Sequence, residues 1–363
     1  MNNPKVFSDF HHASLLNSLI MLFEGRLGGQ VYRPIGMEWA EKGFWKVYDH
    51  PATQAQYLGI GGATPDGSPK LNEVKGWVGD GESSKIIGRD VYRCNDIESG
   101  KTNKAITFQS FLDMPIDIII ASIPQHIIPF YNLRNKYKPN AKLIYQVGNS
   151  WDIFDMPIPN IMASAKIFIP QKYHSIVYHQ EFDTNIFWPL TPNYQPFPNI
   201  YSFVNCFSLP QDHFRFDWQL FQELEQLMPE WVFKSYGGQC RDGAMNGSQA
   251  LADKMREARF IWHTKNGGDG FGHIIHNAAA CGKPLIIKEQ YYLGKLGGDP
   301  IKDGVTCVTI DGLTSQKIIN KINLYNSPEN YAKLCKNTYE NFKRVVDFDK
   351  EAEALKIFLE TLY

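Results

Sequence analysis

The 363-residue chain has no long hydrophobic run, no close cysteine pair and almost no net charge. Its longest largely apolar stretch, residues 116–123, is far short of the roughly 20 residues that a membrane-crossing helix needs. The opening residues 1–12 lack a charged segment followed by an apolar one, so no secretory leader is expected. Six cysteines are scattered without a C-x-x-C pair. That spacing argues against a zinc site or a disulfide framework and for buried thiols in a reducing compartment. A formal charge of −1 gives the whole molecule no electrostatic pull on nucleic acid or anionic membrane. There is no Walker A sequence. Residues 59–62, Gly-Ile-Gly-Gly, lack the rest of a dinucleotide fingerprint and its acid about 20 positions on. No internal repeat is visible. A soluble, cytoplasmic globular protein is the expectation.

What is present is a length too great for one ordinary core, which implies two domains. Short apolar runs at 5–10, 30–34, 56–60, 117–122, 142–147 and 166–170 read as strands. Several are continuous Val/Ile runs, as in a parallel sheet covered on both faces. Residues 12–24 read as a helix with Leu15, Leu16, Leu19, Ile20 and Phe23 on one face, ended by Gly28. Residues 61–105, rich in Gly, Ser, Asn and Asp, read as a polar insertion running over the surface. A proline-dense stretch at 190–199 marks a junction. A second series follows: strand 201–207, helix 217–228, strand 231–236, helix 248–258, strand 259–263, helix 272–281, and strands 284–288 and 305–310. Two terminal helices close the chain. The pattern gives an α/β protein with Rossmann-like domains at 1–195 and 196–345, and a last helix within 346–363 that can pack back on the first domain.

The richest segment is 260–287: strand, glycine loop, small-residue helix, Gly-x-Pro, strand. Gly267, Gly268, Gly270 and Gly272 admit close approach of a ligand to the backbone. The helix that follows offers free N–H groups and a positive dipole end to a pyrophosphate. His273 and Asn277 sit four apart on one helix face, with Asp269 a turn earlier.

This segment resembles the donor-binding motif of the retaining glycosyltransferases of group 1. Their pattern is an acid followed by Gly-Phe-Gly, a second acid eight positions after the first, small residues and Gly-x-Pro. Asp269, Gly270, Phe271, Gly272, Ala278, Gly282 and Pro284 match it, and residues 301–308 look like the family's strand after an Asp-Gly turn. Asn277 replaces the second glutamate, which in the family holds ribose hydroxyls; an amide can still donate and accept there. The resemblance implies the GT-B architecture, two Rossmann-like domains facing a cleft. It also implies a nucleoside diphosphate sugar as co-substrate, a UDP-sugar first among them, with no resident cofactor. Donor binding would then involve Asp269, Gly270, Phe271, Gly272, His273 and Asn277. No Gly-Arg plus Lys-Gly pair follows the 201–207 strand, so the diphosphate cations are sought among Arg215, Lys234, Arg241 and Lys265, with Gly237 in the turn between. Lys265 is favoured because it lies in the glycine loop.

In the first domain, ligands are expected beyond the carboxyl ends of the strands. His11 and His12 follow the first strand, and His12 could act as a base or orient the sugar. His126 follows another strand; in the family a histidine at such a place contacts the donor sugar. Asn149 and Trp151 lie on a third loop of the same edge and are candidate acceptor ligands. The catalytic candidates are thus His12, His126 and Lys265. His273 and His276 stand three apart but lack a third metal ligand, and Asp347 and Asp349 precede a helix, where aspartate is a good cap.

The reading is a retaining, metal-independent sugar transfer in which the departing phosphate takes the acceptor proton. The His-rich start of the first domain and its stretches at 26–29 and 36–39 resemble virus-encoded glycosyltransferases, which raises a hydroxymethylated DNA base as acceptor. Arg134, Lys136, Lys138, Lys142 and the aromatic content suit that. A glycan, lipid or small molecule is the alternative acceptor, and a nucleotide-sugar epimerase or an inactive nucleotide-sugar-binding protein the alternative function.

Overall fold

The computed structural model describes residues 3–9, 13–46, 58, 61–63, 69–70, 79–86, 89–96, 101–148, 155–191, 196–208, 214–245, 247–267 and 269–363. The chain divides into two compact units, Met1–Phe182 with Phe348–Tyr363, and Asp183–Asp347.

The first unit is built on a sheet of β1 (Lys5–Ser8), β2 (Gln30–Pro34), β5 (Gly79–Ile86), β6 (Arg89–Asp96), β7 (Lys101–Ile106), β8 (Ile118–Ala121), β9 (Lys142–Val147), β10 (Asn160–Ala163) and β11 (His174–Val177). β3 (Gly61–Ala63) and β4 (Pro69–Lys70) pair with each other apart from it. The spatial order is β11-β10-β9-β8-β1-β2-β7-β6-β5. All pairs from β11 to β7 are parallel, with Val6 opposite both Val31 and Ile118. The β7–β6 and β6–β5 pairs are antiparallel. β8, Ile-Ile-Ile-Ala, is buried along its whole length, as a central strand covered on both faces requires. Helix α1 (Ala13–Ile20) runs on into a π-helical turn, Met21–Arg26, and Gly28 ends it at φ 67°. α2 (Glu38–Glu41), α3 (Phe108–Asp113) and α4 (Pro124–Tyr137) follow. Thr107 caps α3 by accepting from the Ser110 amide at 3.1 Å.

Two expectations change here. Residues 61–105 do not simply run over the surface: β5–β7 extend the main sheet, and β7 pairs with β2 through Tyr32 and Lys104. Ladder pairing needs only backbone groups, so polar strands at a sheet margin leave no apolar period to read. Residues 166–170 are not a strand. Ile167 and Ile169 pack on the core while Phe168 is exposed, which imitates strand alternation without a ladder. The strands are β10 and β11 on either side. The expected strand at 56–60 lies outside the described residues, apart from the buried Leu58.

The second unit carries a parallel sheet of β12 (Asn199–Ser202), β13 (Val232–Ser235), β14 (Phe260–His263), β15 (Leu285–Ile287) and β16 (Cys307–Thr309), ordered β13-β12-β14-β15-β16. Helices α5 (Arg215–Leu227), α6 (Gly247–Glu257), α7 (His273–Ala280), α8 (Ser315–Asn326) and α9 (Pro328–Val345) complete it. Its core joins Phe221, Phe233, Trp262, Ile318 and Ile322. The junction falls at 182 and not at 195, because residues 183–191 pack on this unit. Arg256 bonds the Ile186 carbonyl at 2.7 Å and lies 4.8 Å over the Trp188 ring.

The last helix, α10 (Phe348–Glu360), belongs to the first unit. It gives Ala352, Leu355, Phe358 and Leu359 to that core, and Leu362 just beyond it joins them. Arg26 reaches Glu181 with two N–H groups at 2.8 and 2.7 Å and Asp349 with a third at 2.7 Å. Glu351 accepts from both the backbone and the ring of His179, at 2.6 and 2.7 Å. Among the described residues no helix is long and apolar enough to cross a membrane.

Candidate functional site

Parallel strands bring all their carboxyl ends to one edge of each sheet, so each unit has one edge at which loops converge. In the first unit that edge holds Asp9 after β1, Ser122 after β8 and Gly148 after β9. His11, His12, Asn149 and Trp151 lie outside the described residues. His126 does not offer a nitrogen to a substrate. It is fully buried, its Nδ1 is bonded to Asp9, and its Nε2 accepts from the Lys46 amide at 3.0 Å. Nδ1 is therefore the donor, and the carboxylate takes a second bond from the Ser122 amide at 2.6 Å. The ring stacks on Phe130 at 5.1 Å and meets Trp45 at a tilt of 45°, 4.6 Å away. This histidine ties two strand ends together and is not placed to touch a sugar.

In the second unit the same edge is formed by the turns after β12, β13, β14 and β15. The basic candidates separate sharply. Arg241 is spent: it makes two bonds to Glu225, at 2.8 and 3.1 Å, one to Asp242 at 3.2 Å and one to the Phe233 carbonyl at 2.9 Å. Lys234 pairs with Asp242 at 3.0 Å. Arg215 is exposed in the first turn of α5. Gly237 serves close packing, because a Cβ there would lie 3.0 Å from the Asn205 Cα. That contact, with the Arg241 amide donating to Ser208 Oγ at 2.7 Å, locks the turn after β13 to the turn after β12.

The turn after β14 is different. Lys265 is bonded to Asp269, and Nε2 of the buried His263 lies 3.5 Å from the same carboxylate. Burial alone would raise the Asp269 pKa. His263 and Lys265 outweigh it and hold the carboxyl well below the usual range. Gly267 (φ 76°) and Gly272 (φ 78°) take left-handed backbone, and Gly272 is the residue from which α7 starts. Phe271 stacks on His276 at 4.3 Å and meets His273 edge-on at 4.7 Å. Nδ1 of His276 faces the Gly272 carbonyl at 3.0 Å, so that ring serves the start of the helix. Asn277 is buried, and its Oδ1 has no partner among the described residues; Nδ1 of His263 has none either. Unsatisfied buried groups of this kind are costly and point to an absent ligand or water. Among the described residues no group of three His, Cys, Asp or Glu side chains could hold a metal.

Three groups here carried no signal strong enough to single out from the sequence. His263 replaces what would be a plain strand end. Tyr292 packs 5.8 Å from the His263 ring, and burial and the Asp269 charge raise its phenol pKa. Lys295, in the glycine-rich stretch 294–298, bonds the Gly267 carbonyl. The Asp-Gly turn at 303–304 is structural: Asp303 accepts from the Thr309 amide at 2.9 Å and pairs with Lys321 at 2.8 Å.

No protein-family model matches the sequence, and no curated protein matches it either. Solved structures do. HepE of Anabaena, in complex with UDP and glucose, superposes with a TM-score of 0.60 at 13% identity, covering 99% of this chain and 100% of that one. TarM gives 0.60 at 10% identity, covering 99% of each chain. A glycosyltransferase of Rickettsia africae gives 0.58 at 12% identity, again covering 99% of each. At such identities it is architecture that is shared, over nearly the full length: this chain has the fold of the GT-B glycosyltransferases.

Proposed function

We propose that the chain is a glycosyltransferase taking a sugar from a nucleoside diphosphate sugar, with the donor held at the turn between β14 and α7. The observation that carries this is the convergence of Lys265, Asp269, the left-handed glycines and the amino end of α7 at one strand end, with buried, unpartnered polar atoms on His263 and Asn277. Oriented N–H groups and fixed cations suit a diphosphate, and Asn277 suits ribose hydroxyls. UDP is the first nucleotide to test, because HepE has been crystallised with UDP and with UDP-glucose. Catalysis would rest on orienting the donor and stabilising the departing diphosphate. The departing phosphate oxygen can take the acceptor proton, which fits retention and asks for no dedicated base. Activity should persist in excess EDTA.

For the acceptor we favour a glycan, lipid or small molecule over a modified DNA base. Lys138 is committed to the carbonyls of Leu112 and Met114 at 2.8 and 2.6 Å, and Arg134 to that of Ala141 at 2.9 Å. The basic cluster that suggested DNA is therefore partly internal. Transfer of labelled sugar to hydroxymethylated DNA, falling steeply with salt, would reverse this preference. The donor reading is tested by calorimetry with nucleotide sugars. Asn277→Ala and Lys265→Ala should each cost about 1–3 kcal/mol of binding and leave the melting temperature near that of the parent. Unchanged affinity in both removes the donor site from this turn.

A further inference from the structure

Lys295 sits over the glycine turn in a way the motif did not foreshadow. The segment that carries it packs on Gly267, Gly270 and Phe271. The Lys295 ammonium donates to the Gly267 carbonyl, the Gly297 amide meets the Gly270 carbonyl at 3.4 Å, and a Cβ on Gly297 would lie 3.1 Å from the Phe271 oxygen. Backbone thus fixes the lysine at the amino end of α7. An ammonium has three donors; a carbonyl takes one and brings no counter-charge. Asp269, the carboxylate whose charge Lys295 feels, is already bonded to Lys265 and flanked by His263. Burial lowers the Lys295 pKa, the Lys265 charge acts in the same direction, and Asp269 opposes them. Lys265 and Asp269 cancel, so the turn keeps one positive charge. Nδ1 of His263, before the turn, and Oδ1 of Asn277, on the helix after it, are buried and have no partner among the described residues.

Building on the donor-site reading above, we propose that Lys295 is the cation that meets the terminal phosphate of the nucleoside diphosphate, while Lys265 stays with Asp269 and fixes that carboxylate. The role falls to Lys295 because Arg241 and Lys234 are consumed by Glu225 and Asp242. The site would then distinguish a diphosphate from a monophosphate or a nucleoside by one ammonium on the 294–298 segment.

The test is calorimetry of UDP, UMP and uridine with the parent chain, Lys295→Gln and Lys295→Arg. Glutamine keeps a donor for the Gly267 carbonyl and loses the charge. UDP affinity of Lys295→Gln should fall at least tenfold, the size of one charge-assisted hydrogen bond. Uridine affinity should stay within about twofold of the parent, as expected if no charged contact to the nucleoside is lost. Arginine should restore most of the UDP binding, and UDP binding by the glutamine variant should depend less on salt. Undiminished UDP affinity in Lys295→Gln overturns the assignment and leaves the donor site standing. So does an equal loss for UDP, UMP and uridine, which would mean that the lysine merely supports the turn. A parent chain that binds none of the three overturns the donor site and this inference together.

Discussion

Each unit sets a histidine near an aspartate at the carboxyl edge of its sheet, and the two pairs are finished differently. His126 and Asp9 are fully buried, and their hydrogen bonds use both ring nitrogens and both carboxylate oxygens: Nδ1 to Asp9, Nε2 from Lys46, and the second oxygen from Ser122. His263 and Asp269 are left open. The ring approaches the carboxylate at 3.5 Å with Nδ1 unpartnered among the described residues, and the aspartate keeps about a quarter of its side-chain surface. A pair with every bonding position used can hold strands together but has nothing to offer a ligand. Spare positions beside a glycine turn are what a ligand needs. Residue type and sheet edge are the same in both units, although Asp9 and His126 follow two different strands and His263 and Asp269 belong to one strand and its turn. What distinguishes the brace from the site is how far its hydrogen-bonding positions are used.

The sharpest way to break that comparison is to remove one partner from each pair. Asp9→Ala strands the His126 N–H and the Ser122 amide in a dry interior, which should cost about 3–5 kcal/mol of first-unit stability. Asp269→Ala, at the open edge, should cost far less stability and act instead on nucleotide binding. Denaturant unfolding followed by first-unit tryptophan fluorescence, with UDP calorimetry alongside, measures both. An Asp9→Ala protein as stable as its parent would mean that the buried pair is no brace.

The same contrast explains what the sequence could and could not disclose. The second unit was legible because its strands are short apolar runs separated by amphipathic helices, and because glycine spacing and Gly-x-Pro mark the 260–287 crossover. The first sheet was half legible. Its β8 is a bare isoleucine run, but β5–β7 are held by backbone pairing of polar residues and carry no period. Site residues failed for a different reason. His126 stands where a ligand-facing histidine would, and nothing local says that a tryptophan and an amide from residues 45 and 46 close over it. Arg241 and Lys234 look free until Glu225 arrives from α5 and Asp242 from the next turn. Lys295 is invisible because its partner carbonyl lies 28 positions away.

A second difference between the units is continuity. The second is one stretch of chain, whereas the first needs α10 to finish its core. Leu355 is buried against that core, and Leu355→Ala should cost about 2–5 kcal/mol through lost burial and the remaining cavity. The loss should fall on the first unit alone, read as earlier proteolytic cleavage within 1–182 and α10 while 183–347 stays protected. Uniform loosening of both units would show that α10 matters to the whole chain, and that the division is less sharp than the packing implies.

The smallest expected effect contrasts two lysines of the second unit. Lys283 lies at the opposite, amino edge of the sheet, buried with Arg256 and Arg259, and burial pushes its pKa down to about 8. The sign follows from linkage. Below pH 8 the folded chain must keep a charge that its interior disfavours. Between about 8 and the free-lysine value near 10.4, the unfolded chain holds a proton that the folded chain has lost, so stability rises with pH. Moving from pH 7.5 to 9.5 should therefore stabilise the parent by about 2 kcal/mol relative to Lys283→Met, since one pKa unit is worth about 1.4 kcal/mol. Taking the difference between the two proteins cancels the thiols and phenols that titrate in the same range. Lys295, whose ammonium faces an open edge, should give a much smaller difference in the Lys295→Gln comparison. If the parent and Lys283→Met differ by the same amount at both pH values, Lys283 is charged in the fold and the contrast between a buried lysine and a ligand-facing one collapses.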